Sequence, residues 1–327
     1  MSAPVDVLVL GPSNIGDGIL VSPVIQRLHA RVPSARLTLC VGERAIALFE
    51  DDPRIGTLVC LDDFPGVWGR LRLLGLLWRL RPAWLVDLRR TALPVFWRPW
   101  RIMAYIRPAP RALIHMRDRH LWRLGRQVPA ARGAADRTDA ASLWLSEQDR
   151  RHAESLLSRF GVPAGARIAL LCPGARSHIK RWTAAGFAEV ADRLAGERGL
   201  EIVFSGEPEE REVVAEVLGL MRARAHNAVG LTTIRQAGAL MRRAAVVITN
   251  DSASLHLASA CNVPTVAMFG PTDARKYGPR AAHRRVLRRQ LFCSPCERAL
   301  CRFNLECMRF ISPEEVYHAA CELLGEA

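Results

Sequence analysis

The sequence predicts an α/β protein made of two similar halves, each a parallel sheet with helices on both faces. Two observations carry this prediction. Short apolar runs alternate with stretches of helical spacing, the pattern of βαβ units. The alternation lapses into low-pattern Ala, Gly, Arg and Asp around residues 127–145 and then starts again. The simplest division is 1–160 and 161–327, with the final helix expected to pack back on the first half.

In the first half, Val7-Leu8-Val9-Leu10 is a buried strand, and Gly11-Pro12-Ser13-Asn14-Ile15-Gly16-Asp17 turns away from it. Residues 18–30 carry Ile19, Leu20, Val24, Ile25 and Leu28 on one helical face. Arg36 to Val41, Thr57 to Leu61 and Trp84 to Leu88 read as further strands. In the second half, strands are expected at Arg167 to Cys172, Glu201 to Phe204, Ala245 to Ile248 and Pro264 to Phe269. Phe187 to Leu194 belongs to a helix, and a short helix opens after Asn250-Asp251-Ser252.

Composition narrows the function. The formal charge is +14 and the pI about 10.3. Such an excess of bases implies an anionic partner: nucleic acid, an acidic membrane surface or a phosphorylated substrate. Lysine occurs only at Lys180 and Lys276, and every other base is arginine. No run of about 18 uncharged apolar residues appears, so no transmembrane helix is expected. The N-terminus lacks the basic segment of a secretory signal, which makes a cytoplasmic location the expectation.

The polar residues gather at strand ends, where an open parallel sheet binds ligands. Asn250 to Ala258 is the most telling segment. A helix N-terminus there offers free N–H groups and a positive dipole end to a phosphate. Asp251 and His256 add a carboxylate and an imidazole; each has a plain structural reading too, as cap and as packed helix residue. Gly16-Asp17-Gly18 follows the first strand. Asp17 reads either as a helix N-cap or as a carboxylate facing a cleft between the halves. Pro173-Gly174-Ala175 leads to Lys180-Arg181-Trp182, a basic loop suited to a diphosphate or simply to solvent. Glu207 follows the strand 201–204, where an acid accepts ribose hydroxyls or opens a helix.

Two further clusters stand apart. Cys293, Cys296, Cys301 and Cys307 have a C-x2-C-x4-C-x5-C spacing that fits no common zinc module. Free, partly buried thiols are the expectation, with structural zinc or iron as the other reading. Between Trp68 and Arg126, arginines interleave with Trp68, Trp78, Trp84, Trp97, Trp100, Tyr105 and Trp122. That mixture suits a membrane interface or stacking on single-stranded nucleic acid. Most of these tryptophans are expected in the core, beneath a basic surface.

With these residues in hand, the chain resembles the heptosyltransferases of glycosyltransferase family 9, nearly end to end. The resemblance rests on Ser13 to Pro23, Pro173-Gly174-Ala175 with Lys180-Arg181-Trp182, and Asn250 to Ala258. Phe269-Gly270-Pro271-Thr272-Asp273 with Tyr277-Gly278-Pro279 extends it, as does the late cysteine cluster. It implies a GT-B fold: two Rossmann-like domains with parallel sheets facing a central cleft, acceptor in the first and nucleotide sugar in the second. It implies inverting, metal-independent transfer of heptose from ADP-heptose to the anionic inner core of lipopolysaccharide, at the cytoplasmic face of the inner membrane. It assigns Asp17 as general base, Lys180 to the diphosphate leaving group and Glu207 to the ribose. Asp251 would hold sugar hydroxyls, and Ser252 with Ala253 the phosphate. Gly174 and His256 complete the donor set; Ser13, Gly16, Arg89 and Arg90 are the acceptor set. Ala253 stands where family members usually carry Gly, so its methyl is expected to shift the phosphate. No cofactor is expected for catalysis, and no nucleic acid as partner. The alternatives are a relative using another nucleotide sugar or a protein acceptor, and a non-catalytic polyanion-binding protein.

Overall fold

The computed structural model describes residues 4–91, 102–133 and 141–325, so Trp97 and Trp100 fall outside the described residues. The chain divides into two compact units between Trp144 and Leu145.

The first unit holds β1 (Val5–Leu10), β2 (Ala35–Val41), β3 (Thr57–Cys60) and β4 (Trp84–Asp87). They form one parallel sheet in the order β3-β2-β1-β4. Central β1 buries Val7 through Leu10 without alternation, as a strand covered on both faces must. The strand order reverses between β1 and β4, so the loops leaving these two strands diverge and open a crevice at their carboxyl ends.

One expected helix, residues 18–30, is two. The chain forms Ile15–Ile19, breaks, and resumes as Ser22–Arg31. Pro23 is the cause. It has no N–H to return to the carbonyl four residues back, and the Ser22 hydroxyl donates to that Ile19 carbonyl instead, at 2.7 Å. Asp17 therefore lies inside the short helix, and its N-cap is Asn14.

The second unit holds β5 (Ile168–Cys172), β6 (Glu201–Phe204), β7 (Ala225–Asn227), β8 (Val246–Asn250), β9 (Thr265–Phe269) and β10 (Arg284–Arg288). All pair in parallel, in the order β10-β9-β8-β5-β6-β7. β5, β8 and β9 are buried along their whole length. The two edge strands were not legible in the sequence: β7 has three residues and β10 is mostly arginine. Charge on an edge strand discourages pairing with another chain. The reversal point of this sheet lies between β5 and β8.

The boundary at 144 differs from the division expected at 160 because the helix Glu147–Phe160 packs on the helix Ile234–Arg243. Asp149 pairs with Arg235 at 3.5 Å, and the His152 ring nitrogen Nε2 meets the Leu231 carbonyl at 3.1 Å. The closing helix, Pro313–Leu324, packs into the second unit's core through Val316, Tyr317 and Ala320, beside Phe187 and Ile248. Its apolar face is covered within this unit.

Candidate active-site loops at the two sheet reversals

In the second unit, Asn250 closes β8 and is fully buried. Its Oδ1 accepts the Trp182 N–H at 3.0 Å, and its Nδ2 donates to the Pro173 carbonyl at 2.7 Å. One amide side chain thus ties both ends of the 173–182 loop to the end of β8, across the sheet's reversal point. Arg181 Nε adds a bond to the Ala175 carbonyl at 2.9 Å, and Trp182 Nε1 one to Ile311 at 2.9 Å. The loop so pinned presents Lys180, whose Nζ lies 2.7 Å from Asp251 Oδ2. Asp251 is buried, while Lys180 keeps about a third of its side chain exposed. The other lysine, Lys276, is spent on Glu297 at 2.8 Å.

Next to this pair, the helix Ala253–Ala260 begins. Four other helices of the unit are capped by Ser146, Thr183, Thr233 and Ser312, each accepting a first-turn N–H. Ser252 makes no such bond; its Oγ lies 3.4 Å from Thr249 Oγ1. The first turn therefore keeps its N–H groups uncapped by a side chain, next to a lysine, which is the arrangement an anion needs. Ala253 adopts ordinary helical backbone, so its methyl strains nothing within the chain. His256 is buried within this helix.

Glu207 is half-buried after β6, and its N–H donates to Glu210 Oε2 at 2.9 Å. Glu210 is the acid that sequence reasoning passed over. A Cβ on Gly174 or on Gly206 would overlap its carboxyl group, so two glycines at adjacent strand ends make room for it. Burial holds the Glu210 carboxyl above the usual carboxylate range. The signal lay in Glu207-Pro208-Glu209-Glu210, which looks like a plain helix start; only the tertiary fold turns its third acid inward.

In the first unit, the loops after β1 and β4 meet where Arg89 Nη1 donates to Ser13 Oγ at 3.0 Å. Arg89 and Arg90 are exposed, with Gly16 and Asp17 half-buried in the neighbouring turn. Buried Asp87, also missed from sequence, builds the arginine loop. Its carboxylate accepts the N–H groups of Arg89 and Arg90 at 2.9 Å and of Thr91 at 2.6 Å. These bonds hold Arg90 in a left-handed conformation, φ 62°, which costs a non-glycine residue about 1–2 kcal/mol. Arg123 reaches the Leu88 carbonyl at 3.1 Å. Burial, then Arg90 and Arg119, hold its guanidinium below the usual arginine range. Positive charges so crowded are relieved by a bound anion.

Comparisons with known proteins identify the family. The family model for glycosyltransferase family 9 (heptosyltransferase) matches residues 118–306, more than half of the chain. The chain belongs to glycosyltransferase family 9. It is a glycosyltransferase, and its two parallel-sheet units are those of the GT-B fold. Lipopolysaccharide heptosyltransferase 2 of Salmonella typhimurium is 28% identical over 311 residues, covering 86% of this chain and 87% of the relative. Lipooligosaccharide heptosyltransferase 2 of Campylobacter jejuni is 31% identical over 166 residues, 49% of this chain and 52% of the relative. Among solved structures, the family 9 glycosyl transferase of Veillonella parvula aligns with a TM-score of 0.83 and 25% identity, covering 99% of this chain and 98% of that one. The Escherichia coli ADP-heptose heptosyltransferase II aligns at 0.79 with 22% identity, covering 98% and 99%.

The late cysteines of this family 9 chain line one cavity of about 440 Å³. All four are free thiols. Cys301 Sγ accepts the N–H groups of Phe303 and Leu305 at 3.3 Å. Burial, and then the other three thiols, push Cys307 up to about 11. Among the described residues, no group of three or more His, Cys, Asp or Glu is disposed to hold a metal ion. No helix among them is long and apolar enough to cross a membrane.

Proposed function

We propose that this enzyme transfers heptose from ADP-heptose to the inner core of lipopolysaccharide, with inversion and without a catalytic metal. The second unit takes the nucleotide sugar and the first the acceptor. The carrying observation is the Lys180–Asp251 pair beside the uncapped start of the helix Ala253–Ala260. The related heptosyltransferases support the choice of sugar.

Departure of ADP leaves negative charge on the diphosphate. Lys180 and the first-turn N–H groups at Ser252 and Ala253 meet that charge in place of a metal. Donor binding draws Lys180 toward phosphate and leaves Asp251 for sugar hydroxyls. Glu207, braced by Glu210, accepts from the ribose. Gly174 keeps the loop after β5 close, and His256 supports the helix from behind. On the first unit Asp17 takes the proton of the attacking hydroxyl, as an inverting displacement needs a single base. Its carboxylate has no side-chain partner among the described residues. Ser13 and Gly16, with Arg89 and Arg90, bind the phosphates and acidic sugars of the acceptor. The reaction runs in the cytoplasm, at the inner face of the membrane that holds the acceptor.

Purified protein should consume ADP-heptose with a core acceptor, in the presence of EDTA, and give the inverted anomer by NMR. Asp17→Asn should lose about 10²–10⁴-fold in kcat with an unchanged melting temperature. Stabilisation by UDP but not ADP in a thermal-shift assay would rule out the donor assignment.

A further inference from the structure

The helix Gly66–Leu80 of the first unit turns a large apolar stripe outward. Val67, Trp68, Leu71 and Trp78 are 70%, 80%, 51% and 68% exposed, while Gly69, Leu73 and Leu77 are buried on the opposite side. At 3.6 residues per turn the four exposed apolar residues fall within a sector of about 100°. Arg72 and Arg79 border that sector on one side and Arg70 on the other, all exposed. No acid occurs between Gly66 and Asp87. From Gly66 to Gly133 there are fifteen arginines and only two acids, Asp87 and Asp118. Two indoles, of a residue type that composition places mostly in the core, are thus exposed on a helix that already buries a full face elsewhere. Exposed tryptophan on this scale marks an interaction surface.

We propose that this outer face of the helix Gly66–Leu80 is the surface by which the enzyme docks on an anionic phospholipid bilayer. The inference rests on the reading of the first unit as the half that meets a membrane-held acceptor. Charge and shape together select the occupant. A helix about 22 Å long can lie in the plane of the interface. Its Trp and Leu side chains then enter the headgroup boundary while flanking arginines remain at the lipid phosphates. The unbroken positive charge favours a lipid surface with net negative charge. Trp68 and Trp78 are separated by about 15 Å along the axis, so both ends of the helix are anchored and its rotation about that axis is fixed.

Full-length protein, without donor or acceptor, should co-sediment with vesicles containing phosphatidylglycerol and not with pure phosphatidylcholine vesicles. Trp68→Ser/Trp78→Ser should lower the partition constant at least ten-fold. Each of Arg70→Gln, Arg72→Gln and Arg79→Gln should lower it about five-fold. All four variants should retain wild-type turnover on a delipidated, soluble acceptor, which shows that they fold. Equal vesicle binding by wild type and the double variant would overturn the proposal, as would equal binding to neutral vesicles or none to anionic ones. Failure of turnover on the soluble acceptor by the wild type would instead count against the transfer reaction, leaving the vesicle result to stand alone.

Discussion

Asn250→Ala tests whether one buried amide assembles the donor side of the site. Asn250 is fully buried and satisfies the Trp182 N–H and the Pro173 carbonyl, at 3.0 and 2.7 Å. Truncation leaves both groups buried without partners, at about 1–3 kcal/mol each. A loss of about 2–6 kcal/mol follows, read by urea denaturation of the second unit's transition. The loop also carries Lys180, so kcat/KM should fall at least ten-fold beyond any effect of partial unfolding at the assay temperature. Asn250→Asp separates the two bonds. Its carboxylate can still accept from Trp182 but faces the Pro173 carbonyl without a donor, so at neutral pH it should be no more stable than the alanine variant. Protonation restores an O–H donor, so the gap between the Asp variant and the wild type should narrow as the pH falls. A loss below about 1 kcal/mol for Asn250→Ala would refute the pinning argument; that is the cost of a single exposed hydrogen bond.

Two more outcomes follow from the same geometry. Gly174→Ala places a methyl group where the Glu210 carboxyl lies. The flexible Glu210 should move aside with a stability change below about 1 kcal/mol, releasing the Glu207 N–H, and the ADP dissociation constant should rise about ten-fold in calorimetric titration. His120 is held down to about 3 by burial, then by Arg123 and His115, and its Nδ1 has no hydrogen-bond partner among the described residues. Below its unfolded value near 6.5 the unfolded chain takes up a proton that the folded chain refuses. Stability therefore falls as pH drops from about 6.5 toward 3, by at most about 1.4 kcal/mol per pH unit from this group. His120→Leu should flatten that slope in pH-dependent denaturation; parallel curves for variant and wild type would show that His120 contributes nothing.

The sequence by itself determined the architecture, because strands covered on both faces must be apolar throughout. β1, β5, β8 and β9 announce themselves as largely apolar runs without alternation. The same pattern places polar residues at strand ends, so Asp17, Lys180, Glu207 and Asp251 stood out before any coordinates. Edge strands β7 and β10 did not, since partial burial relaxes the demand for apolar residues. What only the tertiary structure decided depends on which strand ends become neighbours. That order, β5 beside β8 and β1 beside β4, is a long-range property that local spacing does not encode. It brings Asn250 to Pro173, Lys180 to Asp251, and Arg89 to Ser13. It also turns Glu210 and Asp87 inward, where each supports a loop whose exposed residues the sequence had already marked. Exposure is decided at the same level. Trp68 and Trp78 have the composition of a core, but Leu73 and Leu77 occupy the inner face of their helix, and a helix has only one face to bury against its own sheet.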